Sequence, residues 1–364
     1  MKRKFITFTA ALVVAACAVF SGCSCTGQQT LSFNSAFHGG TAPTNTYTET
    51  LNYKVEYSED YLANFKKAAA LDEYCTFEYA DGSYRSEFRA ATNDELSEID
   101  SDVKNDERVN TQPIYKITTE FSVNLTLSTL NGETLDYTQP ESIKTTAYIA
   151  WAGAAFAPIC TEEKSEYCMI SVKDGKAKVY VIESTNQTLY NKDEYTKTLT
   201  YRKYKIDEPN IDGVEFANKT DTVKYDFLTA IDNAEFIFAL RGLSLEEKAE
   251  TTVSVVSAAY TDPKSLKITN TQIASENMTI NYVKDGDGAP ITETIKYNTL
   301  EYRINSTNAA GWAQSINIQA EKAGELLNYA LPLKFAKPLF AYNGGSILNM
   351  GSLVFTLTSV EINN

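Results

Sequence analysis

The chain has 364 residues, 33 basic and 47 acidic, for a formal net charge of −14. That length supports a large core in one or two domains, and the acidic balance argues against nucleic acid or anionic headgroup surfaces as direct partners, since both need basic patches. Tyr (23) and Phe (17) are abundant while Met (4) and Trp (2) are scarce, a composition that suits strands, and a single histidine, His38, removes Ser-His-Asp and Cys-His catalysis.

The first stretch is a leader. Lys2, Arg3 and Lys4 precede an apolar run, Phe5 to Phe20, that ends in small residues. A basic start, a short apolar core and small residues make an export signal, and the run is short of the ~20 residues that cross a bilayer. Ser21-Gly22-Cys23 resembles the lipobox of bacterial lipoproteins, although Phe20 stands where that motif usually has an aliphatic. Val14-Ala15-Ala16-Cys17 fits the lipobox more closely but leaves a cramped apolar core. The resemblance implies a diacylglyceryl-modified cysteine, Cys23 with Cys17 as the alternative, and cleavage before it. Residues 1–22 are then a signal peptide and 23–47 a lipidated flexible linker, and the mature chain carries 30 basic against 47 acidic residues, −17.

Thr26 to Tyr47 is rich in Gly, Thr, Ser and Asn and reads as a spacer, with His38 solvated within it. Thr48 to Tyr57 alternates Leu51, Tyr53, Val55 and Tyr57 with polar residues, a half-buried strand. Ser58 opens a helix with Tyr61, Phe65 and Ala69 on one face. Cys75 to Ala90 reads as a hairpin turning at Asp81-Gly82. Thr92 to Gln112 is a polar excursion with a capping box at Thr92 and Glu95. Tyr115 to Leu127 holds the longest clean alternation, well beyond the usual ~5–6 residues of a strand, as in a curved, barrel-like sheet. Asn131-Gly132 and Asp174-Gly175 are turn signals. Ser142 to Phe156 reads as one run, bending at Gly153. Asp207 to Asp221 is the best internal boundary. Asp226 to Leu240 changes to helical period, and strands resume to the C-terminus. Asp285-Gly286-Asp287-Gly288 is a hairpin tip that lacks the ligand number of a calcium loop.

Of the cysteines left after maturation, Cys160 and Cys168 bracket a short segment and are the candidate disulfide in an oxidising envelope. No zinc spacing occurs, and no phosphate-binding, metalloprotease or nucleophile-elbow motif is present. Catalytic residues, metal and cofactor are therefore all read as none.

From Asp226 onward the chain resembles a family of uncharacterised bacterial exported proteins related in shape to the lipoprotein-carrier half-barrels. Phe238-Ala-Leu-Arg-Gly-Leu243, Leu331-Pro-Leu-Lys334, Gly351-Ser-Leu-Val-Phe-Thr-Leu-Thr-Ser359 and Leu51-Asn-Tyr-Lys-Val55 carry the resemblance. It implies a curved antiparallel sheet around an apolar cavity, with lipid or apolar-ligand binding. The expected fold is mainly β with minor α: a large curved antiparallel sheet, half-barrel or barrel-like, with one or two helices packed on it, spanning residues 48–364 and divisible into two lobes near 207–221. The expected function is a non-catalytic, lipid-anchored extracytoplasmic protein that binds an apolar or peptide ligand, with Phe121, Trp151, Phe238 and Trp312 as lining candidates. Its partners would be the membrane, through the N-terminal lipid, and a lipid, another apolar ligand or an envelope protein, with no nucleic acid. The alternatives are a surface adhesin or structural envelope module with no cavity, and a glycan-active hydrolase using two carboxylates.

Overall fold

A computed structural model describes residues 37–38, 41–61, 63–64, 73–80, 82–99, 107–152, 155–190, 194–205, 219–224, 230–232, 236–241, 248, 250–256, 264–284, 287–304, 313–319, 329–343 and 346–364. Cys17, Cys23 and Trp312 lie outside the described residues.

The long alternation forms one strand of 17 residues, β4 (Ile114–Leu130). Its odd-numbered positions from Tyr115 to Leu127 are buried, and the even positions between them are half-buried or exposed. Side chains alternate across a pleated strand, so this pattern fixes which face is inside. Asn131-Gly132, with φ of 53° and 86°, turns the chain into β5 (Glu133–Ala152). Positive φ at both positions suits a tight hairpin, and Asn and Gly tolerate it. The Asn131 side chain also exchanges hydrogen bonds with the Ala177 backbone, donating from Nδ2 at 2.9 Å and accepting at Oδ1 at 2.7 Å. The run expected from Ser142 to Phe156 is two strands rather than one: β5 pairs back on β6 (Ala155–Lys173) with Ala152 opposite Ala155. Asp174-Gly175 (φ 54° and 75°) turns β6 into β7 (Lys176–Tyr190), followed by β8 (Glu194–Lys205) and β9 (Lys219–Lys224).

Cys75 to Ala90 is not a hairpin. β2 (Cys75–Tyr79) and β3 (Gly82–Ala90) lie end to end along the same edge of β4, with Tyr79 opposite Leu125 and Ser83 opposite Ser122. The Ala80 N–H still donates to the Asn124 carbonyl at 3.0 Å, which keeps the ladder running through the junction. Gly82 serves close approach here: a Cβ on it would lie 2.8 Å from the Ser122 carbonyl oxygen.

In the second half, Ala230–Asp232 is a short strand, β10, where a helix from Asp226 was expected. Only Phe236–Leu240 is helical (α3) among the described residues of that stretch. Parallel pairing of Ala230–Asp232 with β11 (Glu250–Val256) outweighs the local helical period. Two further short helices, α1 (Asn93–Glu98) and α2 (Glu107–Thr111), sit between β3 and β4. The expected capping box of α1 is formed, and Glu95 also holds Arg89 at 2.5 Å and Lys116 at 2.7 Å. The remaining strands are β12 (Lys264–Lys284), β13 (Asp287–Ile304), β14 (Ala313–Gln319), β15 (Pro332–Asn343) and β16 (Ser346–Asn363).

All belong to one 16-stranded sheet, ordered β10 to β16, then β1 (Thr48–Tyr57), β3, and β4 to β9, with β2 also on β4. The first and last strands therefore meet in the middle of the sheet. Pairing is antiparallel except for β10 on β11 and the end of β12 on β16, Asn281–Lys284 against Ser359–Ile362. That second contact of β12, together with the approach of β10 to β6, curls the sheet into a barrel-like wall. The main core lies on its inner face, lined by β1, β3, β4, β5, β15 and β16.

Candidate functional site

The inner face carries three polar features set in aromatic surroundings. The first begins with the segment expected to be a solvated spacer. Phe37 is 1% exposed and packs against Phe88, Trp151 and Phe238 with ring centroids 5.4–5.9 Å apart. His38 meets Phe37, Tyr47 and Tyr329 edge-on. Burial lowers its pKa to about 4, offset in part by Glu49, and its Nε2 has no hydrogen-bond partner. Tyr47 is buried, and its hydroxyl donates to Glu49 Oε2 at 3.1 Å. The end of this linker is thus built into the core.

Beneath it lies a buried ion pair. Arg241 Nη1 donates to Glu49 Oε1 at 2.5 Å and Nη2 to Glu49 Oε2 at 2.8 Å, while Nε and Nη2 also donate to the Tyr329 carbonyl. The guanidinium lies over the Phe37 ring at 4.4 Å and the Phe238 ring at 5.2 Å. Its planar fork suits both the bidentate carboxylate and the ring faces. Glu49 was readable from strand phase, since it shares the face of Leu51, Tyr53 and Val55.

The second feature is an aromatic wall with an amine on it. Phe335 and Phe355 stack at 4.4 Å, and Tyr53, Tyr84 and Phe121 pack around them. Lys337, two residues after Phe335 and on the same face, places Nζ 5.5 Å from the Phe355 centroid and 6.0 Å from that of Tyr84. Burial pushes its pKa down to about 8, against a smaller upward pull from Glu163 on β6. Among the described residues Lys337 makes no hydrogen bond or ion pair. Glu163 stands opposite Thr145 on β5 and Asn186 on β7, and two residues along the same face Thr161 of β6 stands opposite Thr188 of β7. Thr145, Thr161, Asn186 and Thr188 are all buried, and Asn186 Oδ1 has no partner.

The third is Glu141, 0% exposed at the divergence of β5 from β6. Asn124 sends its carbonyl to Ala80, so its partner Pro140 faces β6, and proline has no N–H to give. The ladder to β6 accordingly ends at Ser142 opposite Glu166, and the Glu141 carboxyl takes over as acceptor for the Cys168 N–H at 3.0 Å. Burial raises Glu141 to a pKa of about 8, and its Oε2 has no partner. The nearby Tyr57, Tyr61 and Tyr79 rings stack at 4.6–4.8 Å.

The expected lining residues fall in two places. Trp151 (4% exposed) and Phe238 (6%) both pack on Phe37, while Phe121 (5%) belongs to the aromatic wall. The expected Cys160–Cys168 disulfide does not form: both lie on the single strand β6 and are not joined to each other. Eight extended residues separate them by about 26 Å, far beyond the ~7 Å between Cα atoms that a disulfide spans. Among the described residues no three His, Cys, Asp or Glu side chains gather as a metal site.

No protein family and no curated protein matches the chain. Among solved structures it is similar to a β-barrel-like protein of a domain of unknown function, DUF1849, from Brucella abortus. The identity is 10% and the TM-score 0.42, over 88% of this chain and 100% of that one.

Proposed function

We propose that this is a lipid-anchored extracytoplasmic protein, a binding protein rather than an enzyme, that holds an apolar ligand against the inner face of its curved sheet. One observation carries the reading: the aromatic wall of Tyr53, Tyr84, Phe335 and Phe355 bears a half-buried lysine that has no ion pair or hydrogen bond among the described residues, and it shares its interior with a belt of buried Thr and Asn side chains. A core made only for packing is apolar, because a buried polar group without a partner costs free energy. An amphipathic occupant would satisfy both surfaces. Attachment through Cys23, or Cys17, would keep the protein at the membrane that supplies such molecules.

Two measurements test this. Radiolabelled palmitate should enter the protein and be lost with Cys23→Ala, or with Cys17→Ala if that is the attachment site; labelling that survives the double replacement sinks the anchor. The doubly replaced, unlipidated full chain should carry a co-purifying apolar molecule in native mass spectrometry, or take one up on incubation. A chain that stays empty after incubation with long-chain lipids rules out the ligand reading.

A further inference from the structure

We infer that the interior holds the headgroup of a single-chain anionic amphiphile, with Lys337 as counter-charge and Asn186 as acceptor for a headgroup hydroxyl. This rests on the ligand reading above and names the class of ligand. The Lys337 ammonium is the positive group on the wall of Tyr84, Phe335 and Phe355, and it makes no ion pair or hydrogen bond among the described residues. The charged group that acts on it from across the interior is Glu163, which already carries an interaction of its own. Asn186 sits directly opposite Glu163 on the next strand, 8% exposed, with Oδ1 unpartnered.

The chemistry on each side is complementary to one kind of molecule. A phosphate or carboxylate restores the charge balance at Lys337 in a low-dielectric setting, where such a pair is stronger than in water. A hydroxyl beside the anion donates to Asn186 Oδ1 and removes the penalty of an orphaned acceptor. An alkyl chain covers the rings of Phe335, Phe355, Tyr53 and Tyr84. The strongly acidic exterior repels an anionic membrane surface, so the interior amine selects one detached molecule and not a bilayer.

The test compares two probes with the same chain and glycerol unit, 1-oleoyl lysophosphatidate and monoolein, titrated calorimetrically into the unlipidated full chain (Cys17→Ala, Cys23→Ala). Lysophosphatidate should bind about ten-fold or more tighter than monoolein. Lys337→Met should bring the two affinities together by weakening lysophosphatidate alone, and Lys337→Arg should keep the preference, which guards against a variant that is merely unfolded. The titration midpoint of the Lys337 amine, read by NMR of the dimethylated side chain, should rise with lysophosphatidate and not with monoolein. Equal binding of both probes to the parent chain, or a preference that survives Lys337→Met, overturns the headgroup assignment and leaves the ligand reading standing. Binding of neither probe overturns both.

Discussion

Glu49 and Arg241, 192 positions apart, form a bidentate ion pair with 1% and 2% exposure of their side chains. It joins β1 to the residue that follows α3, beneath the rings of Phe37 and Phe238. Two charges this deep are sustained because each answers the other and the Tyr329 carbonyl accepts two more of the guanidinium N–H groups.

Removing one partner leaves a buried uncompensated charge. Arg241→Met should therefore cost about 3–5 kcal/mol of unfolding free energy. The double replacement Glu49→Leu with Arg241→Met should recover much of that, because neither charge remains. Urea denaturation of the four proteins of this cycle checks it; a double variant as unstable as the sum of the two singles would contradict it.

Glu141 predicts a pH dependence. Its folded pKa of about 8 lies above the ordinary 4.5 because burial disfavours the carboxylate. Between those values the folded state binds more protons than the unfolded state, so this group's contribution is whole below pH 4.5 and is lost as pH rises through 8. Glu141→Gln keeps an acceptor for the Cys168 N–H and has no proton to lose. The variant should be stabilised most at pH 8 and above, and its melting temperature should fall less than the parent's between pH 5 and 8.

His38 works in the opposite sense. Its folded pKa of about 4 lies below the ordinary 6.5, so the folded state resists protonation and stability falls as pH drops from 6.5 toward 4. His38→Phe, which keeps an aromatic ring among Phe37, Tyr47 and Tyr329, should lessen that acid-side loss in a melting series from pH 7 to pH 4.

Gly351 (φ +124°) and Gly82 give a graded pair. A Cβ at Gly351 would lie 2.5 Å from Ser58 Oγ, where the Ser58 backbone N–H donates to the Ser352 carbonyl and Ser58 Oγ accepts from the Ser352 N–H. Gly82 has the single severe contact with Ser122 and no positive φ. Both alanine variants should be destabilised, Gly82→Ala by about 1–3 kcal/mol and Gly351→Ala by more, because backbone strain adds to the clash. Thermal melts rank them.

Peptide mapping with alkylation before any reduction should find Cys160 and Cys168 both modified once the protein is denatured, because no disulfide joins them. A crosslinked peptide joining them would contradict their separation along β6.

The strand pattern was highly legible in the sequence. Thr48–Tyr57 has the predicted bounds, and the alternation from Tyr115 to Leu127 lies wholly within β4. Period 2 reports local pleating, so it survives whatever the strand pairs with. Pairing was less legible: Asp81-Gly82 has the composition of a turn, yet it joins two collinear strands, because β4 is long enough to pair with both. The candidate site was hardest to see. His38 lay in a Gly- and Thr-rich stretch and reads as solvated until the rings of Phe37, Tyr47 and Tyr329 close around it. Lys337 and Glu141 break the expected polarity of an inner face, and strand phase alone marks them. Which charges end up facing each other depends on contacts made far along the chain.

The pairing of β1 with β16 has a consequence for how the protein is made. Thr48 lies opposite Asn363, so the centre of the sheet joins positions 315 apart. Contacts of such long range are slow to form, because the entropy of closing the intervening loop comes first. The N-terminal half cannot complete its central seam until the last twenty or so residues have been delivered. For a chain made from its N-terminus, the two halves therefore lock only after Ser346–Asn363 has emerged, and until then β1 lacks the neighbour on one of its edges.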